Sequence, residues 1–169
     1  MIDESTFKCA KCGFCCKTLL TEEHGMVMGL SLTEEETKLF NPKLIAPFSA
    51  IGNKEPETII FYQLTLAQCP HINEKNECRI YEKRPLICKV FPITPKLDKV
   101  TITPRCTQVG KSFTGEGEMC PLIFDNAEQE EALEKINLDA ISTLQRCKET
   151  GSKIWVFNLA TKRWIALRE

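Results

Sequence analysis

Cys9-Ala10-Lys11-Cys12-Gly13-Phe14-Cys15-Cys16 puts four thiols into eight residues, and the reading of the whole chain turns on this run. The two-residue gaps between Cys9, Cys12 and Cys15 let the backbone turn back, so that successive sulfurs can face one centre. Zinc knuckles use such a gap once per half-site, whereas iron–sulfur ligand runs use it twice in succession. A tetrahedral zinc ion rarely takes three ligands from so tight a run, while a cubane offers a separate iron corner to each sulfur. Cys15 and Cys16 are neighbours, and neighbouring side chains are expected to point apart. At most one of them is therefore expected at any one metal atom. A ferredoxin-type run is completed by a cysteine followed by proline, and Cys69-Pro70 and Cys120-Pro121 both offer that pair. The pattern favours an iron–sulfur cluster, of the 4Fe-4S type, with zinc as the alternative.

The chain has 169 residues and ten cysteines, the others being Cys69, Cys78, Cys88, Cys106, Cys120 and Cys147. That length allows a real hydrophobic core without disulfide staples. Acidic and basic side chains nearly cancel, 23 against 22, and are interspersed, so neither nucleic acid nor a membrane surface is implied as a partner. Met1-Ile2-Asp3-Glu4-Ser5 has no basic or apolar character of a leader, and no stretch approaches the ~20 apolar residues of a transmembrane helix. The expected location is the cytoplasm, where thiols are kept reduced and a cysteine cluster points to metal. Buried small hydrophobes or disulfides are a poor account of four cysteines in such a run.

A second block reads Cys78-Arg79-Ile80-Tyr81-Glu82-Lys83-Arg84-Pro85-Leu86-Ile87-Cys88-Lys89-Val90-Phe91-Pro92. Together with Cys69 and the first run it resembles the CxxCxxCC family of zinc- or iron-chelating cysteine-cluster proteins. Those members share a cysteine, an Ile-Tyr pair, an Arg-Pro pair, a second cysteine and a Phe-Pro pair. Cys106, followed by Gly110 and Lys111, resembles a third block of some members. The similarity spans about residues 7–111 and leaves Cys120, Cys147 and the C-terminal third outside. It implies metal chelation by Cys9, Cys12, Cys15, Cys16, Cys69, Cys78, Cys88 and Cys106. Larger relatives, the flagellin lysine-N-methylases, use S-adenosylmethionine, but Gly115-Glu116-Gly117 is no methyl-donor loop.

Around these blocks the sequence predicts an α+β fold: one small domain over 1–169, with irregular cysteine-rich segments around a metal site. Gly25 to Leu32 reads as a short strand or turn. Thr33 opens a helix with Glu36 in a capping box, and Asn41-Pro42 closes it. Thr58 to Leu66 and Lys99 to Thr103 read as strands, and Pro85 opens a helical turn. The C-terminal part, 126–169, holds the longest helix, Ala127 to Thr150, and a hairpin of Ile154–Phe157 with Trp164–Leu167. Leu133, Ile136, Ala140, Leu144 and Cys147 form the apolar stripe of that helix, and Gly151 is placed to terminate it.

Cys147 is thereby a core residue rather than a ligand. His71, two residues beyond Cys69, is a possible ligand set against a solvated loop histidine, and His24 belongs to no constellation. Arg84 is open between a role near cluster sulfur and a structural role in the turn joining Cys78 to Cys88; Tyr81 and the aromatics Trp155, Phe157 and Trp164 read as structural. The leading function is metal binding in a redox, carrier or accessory role, with a protein partner for redox or modification. The alternatives are a metal- or thiol-dependent enzyme and a zinc-stabilised adaptor. With only His24 and His71 in the chain, an open catalytic zinc site has few of its usual ligands. A redox CxxC normally stands alone after a strand.

Overall fold

A computed structural model describes residues 13–91, 93–95, 100–102 and 127–167, so Cys9, Cys12, Cys106 and Cys120 lie outside the described residues. The fold is α+β. In chain order the strands are β1 (Thr21–Glu23), β2 (Met26–Met28), β3 (Leu30–Leu32), β4 (Ile45–Gly52), β5 (Thr58–Leu64), β6 (Ile93–Pro95), β7 (Val100–Ile102), β8 (Lys153–Asn158) and β9 (Arg163–Ala166). The α-helices are α1 (Phe14–Lys17), α2 (Leu86–Val90) and α3 (Ala127–Thr150). Two compact units share the chain. Lys17–Pro70 with Asp139–Glu169 make a sheet unit, and Met1–Cys16 with His71–Leu138 make a cysteine unit.

The sheet unit is built on five strands in the order β3-β5-β4-β8-β9, each pair antiparallel. Strand β5 is the β-branched, aromatic segment expected from the sequence. Strand β4 was not expected, because Pro47 interrupts it. Proline has no N–H for the ladder, and the β4–β5 register shifts between Pro47 and Ser49 and again between Ser49 and Ala50. Gln63, fully buried, secures this irregularity. Its Nε2 donates to the carbonyls of Pro47 (2.7 Å) and Phe157 (3.1 Å), and its Oε1 accepts from the Gly29 N–H (2.7 Å). One amide thus ties three segments together and leaves neither of its ends unsatisfied. Gly29 permits this approach because a Cβ there would collide with the Leu64 carbonyl oxygen.

Leu19, Leu32, Phe40 and Leu64 form the core of this unit, with Leu30, Leu44, Tyr62, Leu66 and Cys69 packed against it. Each fully buried leucine contributes about 1.5–3 kcal/mol. The capping box at Thr33 forms as expected: its N–H donates to Glu36 Oε2 (2.9 Å), and the Glu36 N–H donates to Thr33 Oγ1 (3.3 Å). It opens only a 3-10 turn, Glu36–Leu39, because Phe40 turns extended and buries itself in the core. Asn41 then caps a second 3-10 turn, Pro42–Leu44, by accepting from the Lys43 N–H at 3.0 Å. Strands β1 and β2 make a separate hairpin whose turn, His24-Gly25, has φ of 51° and 77°. Two positive φ values in a two-residue turn are the type I′ geometry, so exposed His24 is a turn residue.

The closing hairpin β8–β9 pairs as the sequence suggests, with Phe157 edge-on to Trp164 at 5.3 Å. Buried Asn158 joins it to the β1–β2 turn, accepting from the Val27 N–H (3.1 Å) and donating to the Gly25 carbonyl (3.1 Å). Helix α3 ends at Gly151 (φ 64°), and the Ser152 N–H reaches back to the Cys147 carbonyl at 3.1 Å. That is the six-to-one bond of a Schellman cap. Leu133, Ile136, Ala140, Leu144 and Cys147 are all half-buried, whereas Leu138 and Ile141 are exposed.

Candidate metal centre

Gly13 to Cys16 are the described part of the first cysteine run, and Phe14–Lys17 form a single helical turn. Consecutive side chains on a helix diverge by about 100°, not the 180° of a strand. Cys15 and Cys16 accordingly stand with their sulfurs 3.9 Å apart. The expectation that they point apart is corrected: it holds for extended backbone, and this backbone is helical. The Cys16 thiol, hydrogen-bonded to Cys15, lowers the Cys15 pKa from 9.0 to about 7, against an opposing effect of burial. A thiol so placed is readily available as the thiolate that metals require.

Gly13 is buried at φ +72°, and a Cβ on it would lie 2.6 Å from Oδ1 of Asn76 and 2.9 Å from its Cβ. Gly13, at the described end of the first run, therefore sits directly on the loop leading to Cys78. That loop is organised by Asn73, whose Oδ1 accepts from the N–H groups of Lys75 and Glu77, both at 2.9 Å. Such local capping is the turn-forming property of asparagine. Asn76 sits at φ 61° and its N–H donates to the Asn73 carbonyl at 3.0 Å. An antiparallel bridge between Ile72 and Cys78, with the Arg79 N–H on the His71 carbonyl (2.9 Å), closes the loop and fixes where Cys78 emerges.

Cys88 is carried by α2, which Pro85 opens as expected; the Cys88 and Lys89 N–H groups both donate to the Pro85 carbonyl. So short a helix cannot satisfy its own last carbonyls. Buried Gln129, in the first turn of α3, supplies the missing donor: its Nε2 reaches the carbonyls of Val90 (3.1 Å) and Phe91 (3.3 Å). Beside it Glu128 pairs with Lys89 (3.0 Å) and Arg84 (3.3 Å). Its carboxyl is held below the ordinary value, first by the hydrogen bond from Lys89, with help from the Arg84 charge. Arg84 also donates to the Tyr81 carbonyl and lies over the Tyr81 ring, 3.9 Å from its centroid. These contacts give Arg84 a structural place in the Cys78–Cys88 segment.

Cys15, Cys16, Cys69, Cys78, Cys88 and Cys147 are all half-buried and outside any disulfide. Cys69 packs on the leucine core of the sheet unit, and His71 is half-buried rather than solvated. Among the described residues no three His, Cys, Asp or Glu side chains come together as a metal-ion site; Cys9 and Cys12 are not in that set. Sequence reasoning missed the residues that hold the cysteines in place. Asn73 and Asn76 were legible only as turn formers, and nothing local marks Glu128 or Gln129 as partners of a segment some forty residues earlier.

Gly13, at the described end of the first run, thus meets Asn76 of the loop before Cys78, and the described cysteines are free thiols. The CxxCxxCC family, described as a putative zinc- or iron-chelating domain, matches residues 8–121, about two thirds of the chain. The chain belongs to the CxxCxxCC family. The CxxCxxCC match extends past residue 111 and takes in Cys120, beyond the span of about 7–111 expected from the motifs. No curated protein and no solved structure matches the chain. Thiolate donors suit both metals that the CxxCxxCC description names, since zinc and iron both accept sulfur ligation. No helix among the described residues is long and apolar enough to cross a membrane.

Proposed function

We propose that the protein holds zinc or iron through thiolates in a carrier, redox or accessory role in the cytoplasm, serving a protein partner. The ligands on this reading are drawn from Cys9, Cys12, Cys15, Cys16, Cys69, Cys78, Cys88 and Cys106. The observation that carries it is the close approach of Gly13 to Asn76, which sets the described end of the first cysteine run against the loop leading to Cys78. A metal binding both would clamp a long intervening chain, and its binding energy would add to the stability of the fold. An iron–sulfur cluster is supported by the twice-repeated two-residue gap of the first run. Zinc is supported by the closely spaced Cys15–Cys16 pair.

The test is anaerobic purification of the full chain, followed by metal analysis, acid-labile sulfide and an absorption spectrum. Bound iron or zinc near stoichiometry is expected. Labile sulfide with a brown colour assigns a cluster, and zinc without sulfide assigns the simple ion. Cys12→Ser should lose the metal, whereas Cys147→Ala, on the apolar stripe of α3, should keep it. A wild-type chain free of metal under these conditions would overturn the reading, as would full retention by Cys12→Ser.

A further inference from the structure

We infer that Cys15 and Cys16 bind one and the same metal ion, forming one edge of a tetrahedral thiolate site. The inference rests on the proposed metal binding and adds which sulfurs share an ion. A metal–thiolate bond of about 2.3 Å in tetrahedral geometry puts any two ligand sulfurs about 3.8 Å apart, the edge being roughly 1.63 bond lengths. The Cys15 and Cys16 sulfurs are 3.9 Å apart. The pair therefore already spans the edge of such a site, with no rotation of either side chain needed. Thiolates on separate iron corners of a cubane diverge, because each terminal ligand points outward from its own iron. A 3.9 Å pair is too close for that role.

A disulfide is the other chemistry open to two close thiols, and backbone geometry opposes it. Adjacent Cα atoms are about 3.8 Å apart, shorter than the roughly 4.4–6.8 Å that unstrained disulfides span. The helical turn of α1 is what makes one-ion chelation possible, since it brings both sulfurs to one side of the backbone. The remaining ligands would come from elsewhere, since among the described residues no third His, Cys, Asp or Glu side chain joins the pair.

Cobalt(II) substituted anaerobically into the full chain tests this, because each thiolate on the ion adds to its sulfur-to-cobalt charge-transfer absorption. Cys15→Ala and Cys16→Ala should each lower that absorption per bound ion by one thiolate's share, about a quarter for a four-sulfur site. The double variant should lose two shares. Should the alanine variants release the ion altogether, Cys15→His and Cys16→His decide. Each should retain one ion with one thiolate fewer, as counted from X-ray absorption of the zinc form. A single variant whose spectrum per ion matches the wild type would overturn the inference while leaving metal binding intact. A wild-type chain that binds neither cobalt, zinc nor iron would instead overturn the proposed function, and this inference with it.

Discussion

Gly13→Ala should weaken metal binding although it changes no ligand. Two costs add. A residue with a Cβ held at φ +72° costs about 1–2 kcal/mol. The new methyl would also fall 2.6 to 2.9 Å from three atoms of the Asn76 side chain, and overpacking of that kind costs about 1–3 kcal/mol. If the run relieves this by lifting off the loop, the full 2–5 kcal/mol appears as lost affinity. At about 1.4 kcal/mol per tenfold, the metal would bind roughly 30-fold to a few thousand-fold more weakly. Anaerobic competition against a chromophoric chelator measures the change. The double variant Gly13→Ala/Asn76→Gly separates the two costs. It removes the collision but not the backbone strain, and glycine readily adopts the φ of 61° that Asn76 holds. It should regain about 1–3 kcal/mol relative to the single variant. Wild-type affinity in Gly13→Ala, or no coupling between the two positions, would refute the argument.

Two pH effects follow from the same unit. The Glu128 carboxyl, held below its ordinary 4.5 by Lys89 and then Arg84, contributes stability that is complete above that value and fades as pH falls through the lowered pKa. Glu128→Gln should therefore lower Tm at neutral pH, and its deficit against the wild type should shrink in the acid limb; a deficit that does not vary with pH would argue against the contact. In metal-free protein the Cys15 thiolate should be alkylated by iodoacetamide with a midpoint near pH 7, and Cys16→Ala should move that midpoint up toward 9. An unmoved midpoint would show that the neighbouring thiol is not its cause.

Local signals were legible in the sequence and long-range ones were not. Thr33 and Glu36 form the capping box their spacing announces, because both partners lie within one turn. Gly151 terminates α3, and the Trp164 hairpin closes, for similarly local reasons. Strand β4 escaped notice because Pro47 argues against a strand, and the compensation for it comes from Gln63, sixteen residues on. The four-cysteine run announced metal chemistry plainly, yet its side-chain directions depend on whether its backbone is helical or extended. That choice is made at Phe14–Lys17, where spacing alone says nothing. The capping of the Cys88 helix could not be read either, since Gln129 acts on Val90 and Phe91 across nearly forty residues.

The interleaving of the two units sets a schedule for biosynthesis. Cys9 leaves the ribosome first, but Gln129, which holds the end of the Cys88 helix, follows about 120 residues later. At 5–20 residues per second that interval lasts roughly 6 to 24 s. Throughout it the first four thiols are already made while the helix that carries Cys88 lacks the contact that caps its end. The sheet is no help in that interval, because β8, which pairs with β4, is made later still. Neither unit can be cut out as one continuous fragment, because each is made of two separated stretches of chain.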